Sequence, residues 1–324
     1  MNLILPIILL IVGFVLLIKG ADWMVDGASS IATHFKVSKT LIGLTIIAFG
    51  TSAPELAVSI SSLASGSTDM LLGNVIGSNI INVLLLIGVG ALICPIKVSR
   101  ETVKKEIPIL LLISTALVVL FLDTSLNQAI TNSITRGDAI ICLLLFAIFL
   151  YYLVAMAIRN RETASKKKEK PKYKMGVAIL MTVVGLVGLV GGSQLVVNNA
   201  TTIAQSLGVS DRIIALTIIA LGTSLPELVT TIVAARKKET DLIVGNIIGS
   251  NIFNICIVMG LPVAIFGTIT PSSFQMIDIV MLILSALLLF IMTRRDSKVT
   301  RREGALMLLV FLVYYGFIIY EAFL

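Results

Sequence analysis

Glu55 and Glu227 are the residues of this chain whose chemistry is hardest to leave idle. Each ends a hexad inside a long apolar run, Gly50-Thr51-Ser52-Ala53-Pro54-Glu55 and Gly222-Thr223-Ser224-Leu225-Pro226-Glu227. An ionisable group in a hydrocarbon environment is costly, and the default reading is a functional site. The proline beside each glutamate has no N–H, so in the first hexad the carbonyl of Gly50 loses its helical partner. Carbonyls around Ala48, Gly50 and Thr51 are then free to face a cavity, where irregular backbone is tolerated at membrane depth.

The polar residues around the glutamates fall on helical faces. Ser52, Glu55 and Ser59 are three and four apart, and Thr51 is four before Glu55. In the next apolar run Asn74, Ser78 and Asn82 are spaced by four. The second half repeats both sets as Thr223, Ser224 and Glu227, then Asn246, Ser250 and Asn254. All these donors are oxygens, which suits hard cations: Ca²⁺ takes about six to eight of them. Two carboxylates balance one Ca²⁺, or most of the charge on several Na⁺. No His or Cys is near, which argues against Zn²⁺ or Cu⁺. The sole histidine, His34, falls in a short loop, and Cys94, Cys142 and Cys256 are spaced for neither a disulfide framework nor a metal site. Asn74 and Asn246 are open to a second reading as bonds between helices. Gly73 and Gly77 suit close approach of a neighbouring helix.

The elements that must position these groups are membrane spans. Of 324 residues 57% are hydrophobic and 13% charged, against about a quarter charged in soluble domains. Hydropathy predicts ten helices, with cores at 3–24, 40–63, 70–94, 107–122, 137–158, 176–197, 212–234, 242–266, 275–292 and 304–322. The first is long enough to span and lacks a basic n-region, so it reads as a helix rather than a cleaved signal. The loops after spans 1, 3, 5, 7 and 9 hold 2, 4, 8, 3 and 5 Lys and Arg, while the opposite side holds Arg136 and Arg212. This asymmetry predicts cytoplasmic odd loops and extracellular termini. It also accounts for the net charge of +7 without nucleic acid. Asp22, Asp26, Asp69 and Asp241 lie near span ends, where ionised groups reach water; Lys19 and Asp22, three apart, are within pairing reach.

Sliding the chain by 172 residues aligns 20–88 with 192–260 at 31 identities in 69 positions. Each half then holds five spans, an odd number, so the second copy is inverted. The expected domains are a first five-helix repeat over 1–158, a cytoplasmic Lys-rich linker over 159–174 and a second repeat over 175–324. The strongest internal likeness lies in 44–88 and 216–260. Inverted repeats are the architecture of secondary transporters, with the site at their midplane interface. Helices 2, 3, 7 and 8 should form the ion-binding core. Spans 1 and 6, with Gly20 and Gly185, Gly188, Gly191 and Gly192, are candidates for the moving group.

The hexads, each followed by Gly-Asn-Val-Ile-Gly-Ser-Asn (73–79) or Gly-Asn-Ile-Ile-Gly-Ser-Asn (245–251), resemble the two alpha repeats of the sodium/calcium exchanger family, within the cation/calcium exchanger superfamily. The ten-span pattern is similar to that of prokaryotic members. The resemblance implies four ion sites between the repeats, one serving Ca²⁺ and the others chiefly Na⁺. By motif position, Glu55 and Glu227 would be the shared central ligands. Ser52, Ser224, Thr51 and Thr223 would add oxygens, Ala48 and Ala220 carbonyls, Ser78 and Ser250 hydroxyls, and Asn82 and Asn254 the middle of the site. Potassium-dependent relatives carry Asp where Asn254 stands, so potassium co-transport is disfavoured. The calcium/proton branch has an acidic residue in its Gly-Asn motif; neither copy here does.

The expected function is Na⁺/Ca²⁺ antiport across the cytoplasmic membrane by alternating access, with Ca²⁺ and Na⁺ as substrates. No cofactor and no obligatory protein partner are expected, and a monomer suffices. Cation/H⁺ exchange is the alternative; a cation channel fits less well, because channel filters repeat around an axis normal to the membrane. No nucleophile–base pair or HExxH motif suggests an enzyme.

Overall fold

A computed structural model describes residues 3–126, 131–164, 170–208, 218, 220–271 and 276–323. The described elements are helices joined by short connections, apart from a two-residue antiparallel pairing of β1 (Ile96–Lys97) with β2 (Lys298–Val299) and an isolated antiparallel bridge between Ile134 and Ile269. Helix α1 is Ile4–Phe35, α2 Lys39–Thr51, α3 Ala53–Ala64 and α4 Thr68–Ile93. After β1 come α5 (Arg100–Lys104), α6 (Glu106–Phe121) and α7 (Arg136–Ala164). The second half holds α8 (Met175–Ser206), α9 (Leu225–Arg236), α10 (Thr240–Phe266) and α11 (Met276–Asp296), then β2 and α12 (Arg301–Phe323).

Seven of the described helices are long and apolar enough to cross a membrane, or eight if the bent pair α2–α3 is one span. The protein is therefore a multi-pass membrane protein. Of the remaining expected spans, the fourth is α6, at 16 residues shorter than a usual span. The start of the seventh, with the motif residues 216, 217 and 219, lies outside the described residues. Burial separates centre from periphery: the most apolar stretch of α10 is 94% buried and that of α4 72%, against 22% in α1. Helix α1 instead shows lipid a face of Ile4, Ile8, Ile11 and Val15.

Two boundaries differ from the hydropathy reading. The first helix continues to Phe35 rather than ending near residue 24, and α8 continues to Ser206 rather than 197. Hydropathy loses these ends because their sequences turn more polar, yet α1 runs on packed against protein, with Val25, Ala28, Ile31 and Ala32 buried. His34 consequently sits in the last turn of α1, not in a loop, with its Nε2 2.8 Å from the Tyr173 carbonyl. Asp22 pairs with Lys237 of the other half at 2.6 Å rather than with Lys19. Lys237 also holds Asp26 at 2.7 Å, and Lys172 meets Asp26 at 2.8 Å.

Glycines bring α1 and α8 together backbone to backbone. A Cβ at Gly20 would lie 2.7 Å from the Gly185 carbonyl oxygen, and one at Gly185 2.6 Å from that of Gly20. Gly13 and Gly192 repeat this reciprocal contact two turns away, at 2.9 and 2.8 Å. Gly245 and Gly249 of α10 press on α2 in the same manner, against Gly43 and Leu44. For Gly73 and Gly77 no described residue comes within 4 Å of such a Cβ.

Candidate functional site

The proline of each hexad sits in the first turn of a new helix, where a missing N–H costs nothing. Ser52 precedes α3 and Ser224 precedes α9, both with non-helical backbone, and α3 bends away from α2 by 43°. Glu55 and Glu227 thus lie in the first turns of α3 and α9, next to the break. The opposite walls come from α4 and α10, each interrupted by a π turn, Ile81–Leu86 and Asn254–Met259. Such turns recur at functional sites because they re-aim a side chain by a fraction of a turn. Asn82 and Asn254 stand within them.

Both glutamates are 99% removed from solvent, at 1% exposure each. Neither has a Lys or Arg partner among the described residues. The two halves interlock around them. Ser52 Oγ donates to Glu227 Oε1 at 3.2 Å, while Thr223 and Ser224 face Glu55 from the second half. Thr51 Oγ1 donates to Asn246 Oδ1 at 3.2 Å, and Ser250 Oγ to the Ala48 carbonyl at 3.5 Å. Asn82 Nδ2 donates to Asn251 Oδ1 at 2.9 Å. Ser78 is buried in α4 nearby. The backbone of Ala220 is in the short helix Ala220–Gly222 leading to the second hexad, while its side chain lies outside the described residues. Of the two candidate inter-helix bonds, Asn74 makes one plainly: its Nδ2 donates to the Glu55 carbonyl and to Ser59 Oγ, both at 3.0 Å.

Five buried oxygens here have no hydrogen-bond partner: Glu55 Oε2, Glu227 Oε2, Asn82 Oδ1, Asn254 Oδ1 and Ser224 Oγ. Leaving such a group unpaired costs about 1–3 kcal/mol each. Two uncompensated carboxylates among neutral oxygens are a charge deficit that a hard cation corrects. The donors are carboxylate, amide and hydroxyl oxygens, a set that suits alkali and alkaline-earth ions rather than zinc. Phe49, stacked on Phe253 at 4.9 Å with Phe146 beside them, makes an apolar cluster next to Gly50 and Asn254.

Sequence reading passed over Asn79 and Asn251. Asn251 links the halves by donating to the Asn79 carbonyl at 3.2 Å while accepting from Asn82. Both are buried. Their signal was present: each stands three residues before Asn82 or Asn254, in matching places of the repeat.

Buried carboxylates where two similar halves of a helical membrane protein meet are what a cation transporter would need. The sequence profile described as sodium/calcium exchanger protein matches residues 5–155 and 177–320. The chain belongs to the sodium/calcium exchanger family. Among similar proteins, CaxA of Alkalimonas amylolytica is 41% identical over 95% of this chain and 96% of its own. The sodium/calcium exchanger MaX1 of Methanosarcina acetivorans is 31% identical over 95% and 96%. Among solved structures, the sodium-calcium exchanger NCX_Mj, soaked with Na⁺ and Sr²⁺, superposes with a TM-score of 0.83 at 31% identity, covering 97% of this chain and 99% of that one.

Proposed function

We propose that this protein is a Na⁺/Ca²⁺ antiporter of the cytoplasmic membrane, in which both ions use a site centred on Glu55 and Glu227. The observation that carries this reading is the set of buried, unpartnered oxygens around two carboxylates that have no Lys or Arg partner among the described residues. Thr51, Ser52, Ser78, Asn82, Thr223, Ser224, Ser250 and Asn254, with the carbonyls of Ala48 and Ala220, complete the site. Overlap is the basis of exchange, since one pair of carboxylates cannot neutralise a Ca²⁺ and a full Na⁺ load together. The naming of MaX1 and NCX_Mj as sodium/calcium exchangers supports the choice of ions.

The same proposal assigns ten spans in two inverted five-helix repeats, 1–158 and 175–324, around a core of spans 2, 3, 7 and 8. The two stretches of the family match, 5–155 and 177–320, divide at the same place. The loops rich in Lys and Arg would face the cytoplasm and the termini the exterior. Alternating access is supported by unequal bonding of repeat-related residues. Asn74 donates to Glu55 and Ser59, whereas the Nδ2 of its counterpart Asn246 and the hydroxyl of Thr231, counterpart of Ser59, are unpartnered. One sequence pattern thus occupies two arrangements, and transport would exchange them between the halves.

Isotope flux in proteoliposomes tests the reading. ⁴⁵Ca²⁺ uptake should follow an outward Na⁺ gradient, and Glu55→Gln or Glu227→Gln should abolish it while leaving the purified protein folded. Uptake that ignores Na⁺ and follows a pH gradient would replace this proposal with cation/H⁺ exchange.

A further inference from the structure

Away from the ion site, four cationic side chains outnumber the acids around one cavity. Arg100 and Lys104 come from α5, and Arg294 and Arg295 from the last turn of α11, almost two hundred residues later. All four line one cavity of about 840 Å³. The nearby acids are committed elsewhere. Glu101 is shared by Lys105 at 3.6 Å and Arg159 at 3.5 Å, and Asp296, the one acid among the lining residues, pairs with Lys298 at 3.7 Å. None of the four cations has an ion pair among the described residues.

A plainer reading explains part of this. Cations are favoured at the C-terminal end of a helix, and Arg294 and Arg295 end α11. That does not bring α5 to the same cavity. Helix α5 is held there by its own N-cap, Ser99 accepting from Thr102 N at 3.0 Å, and by the β1–β2 pairing that ties the chain before it to the chain after α11. Like charges gathered by rigid elements repel unless an anion lies between them.

The rest of the lining says which anion. Phe290 and Pro108 form an apolar wall. Phe290 is one turn nearer the membrane centre than Arg294, about 6 Å along the helix. The Arg294 guanidinium lies over the Phe290 ring, 6.0 Å from its centroid, which fixes the plane and leaves its edge N–H groups to bond. The cavity therefore passes from hydrocarbon to positive charge over the dimensions of a phospholipid's glycerol and phosphate. Basic pockets between membrane helices recognise such headgroups. A free anion would gain nothing from the wall.

We propose that this cavity binds the headgroup of an anionic phospholipid, which clamps the basic helix α5 to the basic end of α11. The basic linker over 159–174 would add general attraction to the surface; this cavity is a defined site. The test is thermal unfolding of the purified protein with added phosphatidylglycerol, phosphatidylcholine or inorganic phosphate. Phosphatidylglycerol should raise the midpoint of the wild type by about 5 °C at saturation, and the other two by less than a third of that. Arg294→Gln with Arg295→Gln should lose most of the shift, as should Arg100→Gln with Lys104→Gln from the other wall. The charge-matched pair Lys97→Gln and Arg302→Gln, outside the cavity, should keep it. Equal stabilisation by phosphatidylcholine, the full shift with inorganic phosphate alone, or a full shift in both cavity variants would each overturn the proposal. A phospholipid retained by the wild type and lost from the cavity variants in native mass spectrometry would support it.

Discussion

Asn82 and Asn254 occupy the same place in the two repeats, yet replacing each by aspartate should have unequal consequences. Asn82 spends its Nδ2 on Asn251 Oδ1 at 2.9 Å. Asn254 has neither amide atom bonded to protein. Asn82→Asp removes the donor and sets a carboxylate oxygen against the Asn251 carbonyl oxygen. Turning the Asn251 amide over would not help, because its Nδ2 would leave the Asn79 carbonyl at 3.2 Å. A buried acceptor left unsatisfied costs about 1–3 kcal/mol, and Asn254→Asp incurs no such loss. Both variants add one negative charge beside Glu55 and Glu227, so that contribution largely cancels in the comparison. At roughly 2–4 °C per kcal/mol for a sizeable chain, Asn82→Asp should unfold about 2–12 °C below Asn254→Asp. The measurement is a thermal scan of both variants in one detergent, free of Ca²⁺ and Na⁺, at one heating rate. Equal midpoints, or a lower one for Asn254→Asp, would refute the assigned hydrogen-bond asymmetry.

Gly20→Ala should destabilise the protein by about 1–3 kcal/mol through overpacking, because its methyl would meet the Gly185 carbonyl at 2.7 Å. Gly191→Ala, in α8 but with no described atom within 4 Å of a Cβ, should be neutral in the same scan. Lys172 has its ammonium held above the ordinary value of 10.5 chiefly by its hydrogen bond to Asp26. A raised value contributes stability fully below the unfolded pKa and loses it only as pH rises through the folded one. Lys172→Gln should therefore cost the same at pH 6 and pH 9, and a cost that vanishes at pH 9 would contradict the assignment.

Residue types specify structure where local chemistry decides it. Pro54 and Pro226 announce helix breaks because a missing N–H has the same effect in any tertiary setting, and the breaks fall at Ser52 and Ser224. The glutamates stand out because burial of charge is costly everywhere. The ends of α1 and α8 are not legible because hydropathy falls off where polar residues enter a helix, although α1 stays packed against its neighbours to its last turn. The π turns at 81–86 and 254–259 were not legible: an extra residue in a turn is stabilised by what packs against it, not by its own side chain. The pairing of Asn82 with Asn251 was hidden for a related reason. Helical spacing predicts which residues share a face, but not which residue of the other half that face meets.

The backbone contact between α1 and α8 bears on leakage. Side chains at a helix interface can change rotamer and let two helices slip; the carbonyls of Gly13, Gly20, Gly185 and Gly192, each within 3 Å of where a facing Cβ would be, have no such freedom. The two helices belong to opposite halves but form a single strut. In the alternating-access cycle proposed above, a shift of that strut would uncover the ions from one side and cover them from the other in the same stroke. Opening both sides at once would require prising the strut apart. These four glycines would then govern the fidelity of coupling, the number of ions that cross unexchanged per cycle, more than the speed of the cycle.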